Sequence, residues 1–339
     1  MIDSKKILVI GIGSLGGIVS FNLLKNNYSC ILVTNNDTIT KAINENGLSF
    51  KYKETNETIT ATAQTNLPDN EHFDFIFIMT KTNSIEKVSQ DIKSKNLLKP
   101  DGLVITVQNG NVYDFIKDEF PSRIVTSIIG WNAVMTEPGK YELKTMGKTY
   151  FGDITNQNDL SELNQIMQKI SPGDVVYSKN MLGHVWTKLA ITSGINSLGG
   201  ITGLLLGEWA KLSDARKMFV AVFSETIDLA KLQQIKLEKT EVSPDMFYIP
   251  KKSSFVKKTI KINAVKLMGK KVGAVKVSML QDIERGRHTE IDFLNGYLSN
   301  KGKELNFATP VNDRLTELIK SIEDKKIKPG TENLFSVEI

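Results

Sequence analysis

Lys188, Thr192 and Asn196 stand four residues apart in an otherwise apolar stretch, His184-Val185-Trp186-Thr187-Lys188-Leu189-Ala190-Ile191-Thr192-Ser193-Gly194-Ile195-Asn196. On an α-helix this spacing keeps them on one slowly drifting face over roughly 12 Å of axis. A ligand facing that stripe meets one cation and two hydrogen-bonding groups among Leu189, Ile191, Ile195 and Leu198. When hydride adds to a carbonyl, the oxygen gains negative charge, and an ammonium beside it stabilises that charge and supplies the proton. Lys188 suits that task. A lysine on the outer face of an amphipathic helix has the same spacing, so the stripe alone leaves both readings open.

Two further stretches bear on the choice. Val104-Ile105-Thr106-Val107-Gln108-Asn109-Gly110 reads as a strand delivering the Asn109 amide to the carboxyl edge of a sheet, where ligands of doubly wound folds sit. An Asn-Gly turn is the plainer reading of the same residues. The segment from Val277 to Gly296 reads as one helix dense in ionisable groups. Ser278 at its start is able to donate to a carboxylate, and Glu290 to hold a substrate hydroxyl or the lysine. Arg285, Arg287, His288 and Asp292 are assigned to a salt-bridged surface.

At the other end of the chain, Gly11-Ile12-Gly13-Ser14-Leu15-Gly16 follows a strand-like Lys6 to Ile10 and opens a helical pattern. This is the setting of a dinucleotide-binding turn. Gly11 permits the tight turn, Gly13 lets the backbone approach a pyrophosphate, and Gly16 lets helix and strand pack closely. The free N–H groups at the helix start then face the negative charge. The second strand ends in Thr34-Asn35-Asn36-Asp37, with no arginine for a 2′-phosphate and with its acidic residue two positions late. Lys81, after Phe73 to Met79, is a candidate cation near the adenosine phosphate or an exposed loop lysine. The residues leave NADP and NAD both open.

Elements able to hold these groups are visible in the pattern. Strands are expected at 6–10, 30–34, 73–79, 103–107 and 124–129, with helices at 15–26 and 84–95 between them. That alternation marks a parallel sheet with crossover helices. Further β-rich pieces at 140–143 and 149–151 extend the sheet, with antiparallel additions. Beyond Pro172-Gly173-Asp174, helix-period segments take over at about 180–234 and 275–298. The expected fold is α/β followed by all-α: a Rossmann-type doubly wound domain over residues 1–175 and a helical substrate and catalytic domain over 176–339.

A chain of 339 residues is long enough for two such cores. One cysteine, Cys30, excludes an intrachain disulfide, and the start lacks a signal-peptide pattern, so a reducing cytoplasmic location is expected. No apolar run approaches the ~18 residues of a membrane span. Net charge is only +5, yet nine lysines lie between Lys251 and Lys276 with no acidic residue from Asp245 to Asp282. The run is read first as a solvated helix and loop, with anion steering as the alternative. It lacks interleaved aromatics and any nucleic-acid motif. Neither nucleic acid nor membrane is expected as a partner, and no metal is.

The segments taken together resemble the ketopantoate reductase (2-dehydropantoate 2-reductase) family over nearly the whole chain. The likeness rests on GIGSLG, VQNG, WTKLAITSGINSLGGITG, and SMLQDIERGRHTEIDFLNG followed by Thr309-Pro310-Val311-Asn312. It implies a Rossmann domain, a helical domain, a cleft between them, and NADPH-dependent reduction of ketopantoate to (R)-pantoate on the route to pantothenate and coenzyme A. By motif position it implies Lys188 as general acid, Asn109 near nicotinamide and substrate, and Asn196 and Ser278 on the substrate. Glu290 falls near the lysine, the hydroxyl and the cofactor, and Lys81 in the NADP site. Two positions depart from the family. Thr192 stands where an asparagine is usual, which bears on the choice of 2-oxo acid, and Asn35 where an arginine meets the 2′-phosphate, which leaves NADH as a possible cofactor. A homodimer is the assembly considered. A dinucleotide-binding sensor without turnover is the alternative from another class.

Overall fold

A computed structural model of the chain describes residues 5–338. In chain order the first half runs β1 (Lys6–Ile10), α1 (Ser14–Lys25), β2 (Ser29–Val33), α2 (Asp37–Asn46), β3 (Leu48–Tyr52), β4 (Thr55–Ile59) and β5 (Ala63–Gln64). It continues through β6 (Phe73–Ile78), α3 (Ile85–Ser94), β7 (Leu98–Thr106), α4 (Tyr113–Ile116), β8 (Ile124–Ile129), β9 (Asn132–Glu137), β10 (Lys140–Thr145), β11 (Thr149–Asp153), α5 (Ser161–Ile170) and β12 (Val175–Tyr177). The rest is helical: α6 (Met181–Thr202), α7 (Leu206–Trp209), α8 (Ser213–Leu232), α9 (Phe255–Lys271), α10 (Ser278–Glu284), α11 (Asn295–Glu304) and α12 (Pro310–Glu323).

The main sheet has the order β12-β11-β8-β7-β6-β1-β2-β5. From β8 to β5 every pairing is parallel, which is why Ile7, Leu8, Val9 and Ile76 are covered on both faces. The sheet does gain an antiparallel member, β11 on β8. The 140–143 segment goes elsewhere: β10 pairs with β9 and β3 in a separate sheet of order β4-β3-β10-β9. Periodicity shows that a segment is a strand, but its partner is chosen by packing.

The described chain divides into two compact units. One runs to Gln108 and again from Val112 to Met181; the other holds Asn109–Asn111 and the chain from Leu182 onward. The division falls after Met181, later than residue 175, because Val175–Tyr177 still pairs with Thr149–Phe151 as the last strand of the sheet. The second unit is built from helices around a cluster in which Phe247 meets Phe219 edge-on at 5.1 Å and Phe223 at 5.6 Å. Such aromatic pairs contribute about 0.5–1.5 kcal/mol each beyond their burial.

One expected element is divided. Instead of one helix over 277–296, α10 ends at Glu284, a loop follows, and α11 begins at Asn295. Gly286 adopts φ +63°, Arg287 N–H donates to Asp282 O at 2.9 Å and Gly286 N–H to Ile283 O at 2.9 Å. This Schellman closure stops the helix, and it needs a residue that tolerates the left-handed conformation.

Candidate active site

In the first unit the glycine turn leaves β1 and enters α1. Gly11 has φ +99°, and a Cβ there would lie 2.8 Å from Met79 C and Thr80 N at the end of β6. A Cβ on Gly16 would lie 1.9 Å from Gly11 O, whereas one on Gly13 would meet nothing within 4 Å. Gly11 and Gly16 are therefore required by the protein's own packing, while the space beside Gly13 is open. No side chain caps α1 and its first turn holds no acidic residue. An uncapped helix start beside open space is what a pyrophosphate needs.

The second sheet braces this turn. Tyr141 on β10 donates its hydroxyl to Ile12 O at 2.9 Å, and Ser14 Oγ accepts from Met135 N on β9 at 3.1 Å. The Tyr141 ring occupies the space a Cβ on Gly17 would take, at 2.2 Å. Ile12 is thus fully buried, its carbonyl held by tyrosine, and Leu15 packs half-buried on the core. Burial pushes the Tyr141 phenol above its ordinary range, so it stays a donor. Sequence reading missed Gly17 and Tyr141 because the pair is joined only by folding.

Asn35 is exposed between β2 and α2, and Asn36 caps α2 by accepting from Ile39 N at 3.1 Å. Asp37 is the first residue of α2. Lys81 is exposed at the start of the short helical turn Thr82–Ser84, one residue after the Thr80 that packs on Gly11. Gln108 ties the two strand ends together: its Nε2 donates to Ile78 O at 2.8 Å and Thr80 O at 2.9 Å, and its Oε1 accepts from Val107 N at 3.1 Å. The amide that precedes Asn109 therefore serves as a clamp on the sheet edge.

In the second unit Lys188, Thr192 and Asn196 do share α6. The helix is nearly all buried, as its apolar composition requires. Its hydroxyls turn inward, Thr187 to Gly183 O, Ser197 to Ser193 O and Thr202 to Leu198 O. Thr192 behaves alike, donating to Lys188 O at 2.9 Å and Leu189 O at 3.3 Å. Its methyl and an acceptor lone pair are what it has left for a ligand. Lys188 and Thr192 are half-buried and Asn196 is 6% exposed.

Glycines on α6 bring α10 against it. A Cβ on Gly199 would lie 2.4 Å from Val277 Cγ2, and one on Gly200 would lie 3.3 Å from Met279 and Ile283. That close approach sets Ser278 beside Asn196, where Ser278 Oγ donates to Asn196 Oδ1 at 3.1 Å. With Oδ1 engaged, the amide presents Nδ2 as a donor. Asn196 and Ser278 thus form one polar group, two helical turns along α6 from Lys188.

Glu290 is buried, and its carbonyl accepts from Phe293 N at 3.1 Å to form the short turn Ile291–Phe293. Against that turn lies the Asn109 segment: Gly110 has φ +92°, and a Cβ there would lie 2.6 Å from Phe293 O. Asn111 Nδ2 donates to Tyr297 Oη on α11 at 2.9 Å. The Asn109 turn and the segment after Glu290 are therefore packed together. Arg285, Arg287, His288 and Asp292 are exposed, with His288 3.5 Å from Glu323 and Asp292 2.6 Å from Lys320. Asn312, the last residue of the Thr309-Pro310-Val311-Asn312 signature, links α11 to α8. Its Oδ1 accepts from Asn295 Nδ2 at 2.9 Å, and its Nδ2 donates to Glu225 Oε2 at 2.6 Å. Among the described residues no group of three or more His, Cys, Asp or Glu is placed to hold a metal, and no helix is long and apolar enough to cross a membrane.

A Rossmann-type sheet with a glycine turn, followed by helices that carry a half-buried lysine and a hydroxyl bonded to a buried amide, defines a class of two-unit oxidoreductases. Within it, this chain belongs to the ketopantoate reductase PanE/ApbA family, whose model matches residues 7–156 and whose C-terminal model matches residues 180–323. A 2-dehydropantoate 2-reductase of Lactococcus lactis subsp. lactis (strain IL1403) is 28% identical over 332 residues, covering 94% of this chain and 98% of that protein. One from Pyrococcus horikoshii is 28% identical over 320 residues, covering 94% and 97%. Among solved structures, D-mandelate dehydrogenase with NADH and anilino(oxo)acetate superposes with a TM-score of 0.80 at 25% identity, covering 94% of this chain and 98% of that one. A PanE/ApbA family ketopantoate reductase from Ralstonia eutropha JMP134 shares the fold, with a TM-score of 0.79 at 22% identity, covering 95% and 99%.

Proposed function

We propose that this chain reduces a 2-oxo acid to the 2-hydroxy acid, with 2-dehydropantoate as substrate and (R)-pantoate as product. The observation that carries the reading is the Ser278–Asn196 pair on the helix that bears Lys188. It is joined by family membership over both parts of the chain.

The glycine turn suits a nicotinamide dinucleotide, because the open space at Gly13 and the uncapped start of α1 accommodate a pyrophosphate. Gly11, Ile12, Gly13, Ser14, Leu15 and Gly16 would hold it, with Asn35 and Lys81 towards the adenosine end and Asn109 and Glu290 towards the nicotinamide. Bound there, the cofactor supplies hydride. Asn196 Nδ2, oriented by Ser278, donates to the substrate carboxylate. Lys188 sits beside the carbonyl, stabilises the charge growing on its oxygen and gives it a proton. Asn109 orients the reacting face, and Glu290 accepts from the lysine or the new hydroxyl. Lys188→Ala should lower kcat by orders of magnitude and leave cofactor affinity nearly intact in steady-state kinetics with NADPH and NADH. Near-normal turnover would refute the assignment.

A second reading, NADH-dependent reduction of a bulkier 2-oxo acid, is favoured by Thr192 and Asn35. The Thr192 hydroxyl is committed to its own helix, which leaves a methyl where the family's amide would stand. Asn35 is exposed and neutral at the end of β2, with no charge for a 2′-phosphate. The likeness to D-mandelate dehydrogenase with NADH supports the same reading. Comparing kcat/KM for ketopantoate and phenylglyoxylate with each cofactor separates the two.

A further inference from the structure

A cavity of about 540 Å³ lies wholly within the second unit, and Lys188, Asn196 and Ser278 are not among the residues that line it. Volumes of roughly 300–1,000 Å³ are typical of small-molecule sites. One wall is a face of α8 formed by Ala221, Ser224, Glu225 and Asp228, spaced as successive helical turns demand. The rest of the lining mixes apolar residues, Ile249, Pro250, Phe307, Val311 and Phe335, with one further carboxylate, Glu338.

The cavity also carries two lysines, Lys251 and Lys258. They open the lysine run that the proposed reaction leaves without a task, nine lysines with no acidic residue between Asp245 and Asp282. Lys251 Nζ sits 5.3 Å from the centre of the Phe307 ring, so charge and aromatic surface are already adjacent. The two carboxylates of the α8 wall are engaged by the protein itself. Glu225 accepts from Val311 N at 3.0 Å, Asn312 N at 3.1 Å and Asn312 Nδ2 at 2.6 Å, and Asp228 accepts from Tyr248 Oη at 2.7 Å. Burial also lifts the Glu225 carboxyl to about 7, which lessens its repulsion of an anion near neutral pH.

We infer that this cavity is a second ligand site, for a small organic anion with an aromatic or branched apolar body. The body would rest on Phe307, Val311 and Phe335 and the anionic group on Lys251 and Lys258, with the lysine run raising the local concentration of anions. This inference does not depend on the reaction proposed above.

The test uses 1-anilinonaphthalene-8-sulfonate, an aromatic anion that fluoresces when shielded from water, titrated into the full chain. The expected result is saturable binding near one equivalent that weakens at least tenfold in Ala221→Trp, which fills the cavity, and in the double variant Lys251→Glu/Lys258→Glu. The charge variant changes the exposed Lys251 and the half-buried Lys258 and carries the test if Ala221→Trp fails to fold. Binding should be unchanged in Asn196→Ala, and reductase turnover unchanged in both cavity variants. Absence of saturable binding, or binding indifferent to the cavity changes and lost in Asn196→Ala, would overturn the inference.

Discussion

Removing the Ser278 hydroxyl tests the substrate side of the proposal directly. Ser278 Oγ donates to Asn196 Oδ1 at 3.1 Å, and Asn196 is 6% exposed, so water has little access to the orphaned oxygen. A neutral hydrogen bond contributes about 0.5–1.5 kcal/mol net, and a buried acceptor left without its donor costs about 1–3 kcal/mol. Ser278→Ala should therefore destabilise the chain by about 1–3 kcal/mol in denaturant titration. The same loss frees the amide to flip, so Nδ2 no longer points reliably at the carboxylate. At about 1.36 kcal/mol per tenfold change, kcat/KM for the 2-oxo acid should fall roughly 5- to 150-fold, mainly through KM. Asn196→Ala should give a similar fall. Because the two side chains act as one group, the double variant should be better than additivity predicts by about 1 kcal/mol. Both single variants within twofold of the parent, or strict additivity in kcat/KM and in stability, would refute the claim that Ser278 orients Asn196 for the acid.

Three other outcomes follow from the geometry. Gly13→Ala should leave the melting temperature nearly unchanged while raising the cofactor Kd by at least tenfold, since its Cβ meets nothing in the protein and only a bound dinucleotide would feel it; Gly16→Ala, with its Cβ 1.9 Å from Gly11 O, should lose stability as well. Thermal melts beside cofactor titrations distinguish the two. Asn35→Arg should improve kcat/KM with NADPH relative to NADH by about tenfold, one charge-assisted contact's worth, and an unchanged ratio would remove position 35 from the phosphate site.

Stability against pH gives the last. Burial raises the Glu225 carboxyl from 4.5 to about 7, so the fold holds that proton more tightly than the unfolded chain does. Its contribution is fully present below about 4.5 and is lost as pH rises to 7. Burial lowers His184 from its ordinary 6.5, and that group acts oppositely, losing stability as pH falls below 6.5. Between pH 6.5 and 7.5 the Glu225 contribution alone should lower the unfolding free energy by about 0.7 kcal/mol, half a proton over one pH unit, and His184 offsets part of that fall. In Glu225→Gln the fall should disappear and leave only the shallow opposite contribution of His184; a rising or flat profile in the parent would contradict the assignment.

The elements that carry the candidate residues were largely legible before folding because their signals are local. The Gly11, Gly13 and Gly16 turn is written in consecutive residues between a strand and a helix, and the four-residue spacing of Lys188, Thr192 and Asn196 becomes a helix face by geometry alone. The break in the 277–296 segment had a local signal as well, Gly286, but the density of charged residues favoured a continuous helix over it.

The sequence by itself determined on which kind of element each candidate residue stands, since backbone periodicity and glycine's tolerance of positive φ act over a few residues. Tertiary structure decided which of them meet. Ser278 and Asn196 are 82 positions apart and join only because Gly199 and Gly200 let α10 close on α6. Tyr141 reaches Ile12 across 129 positions, through a second sheet whose pairing no strand pattern specifies. The inward turn of the Thr192 hydroxyl belongs to the same class: composition gives the hydroxyl, and the folded helix determines that it donates to the carbonyl of Lys188.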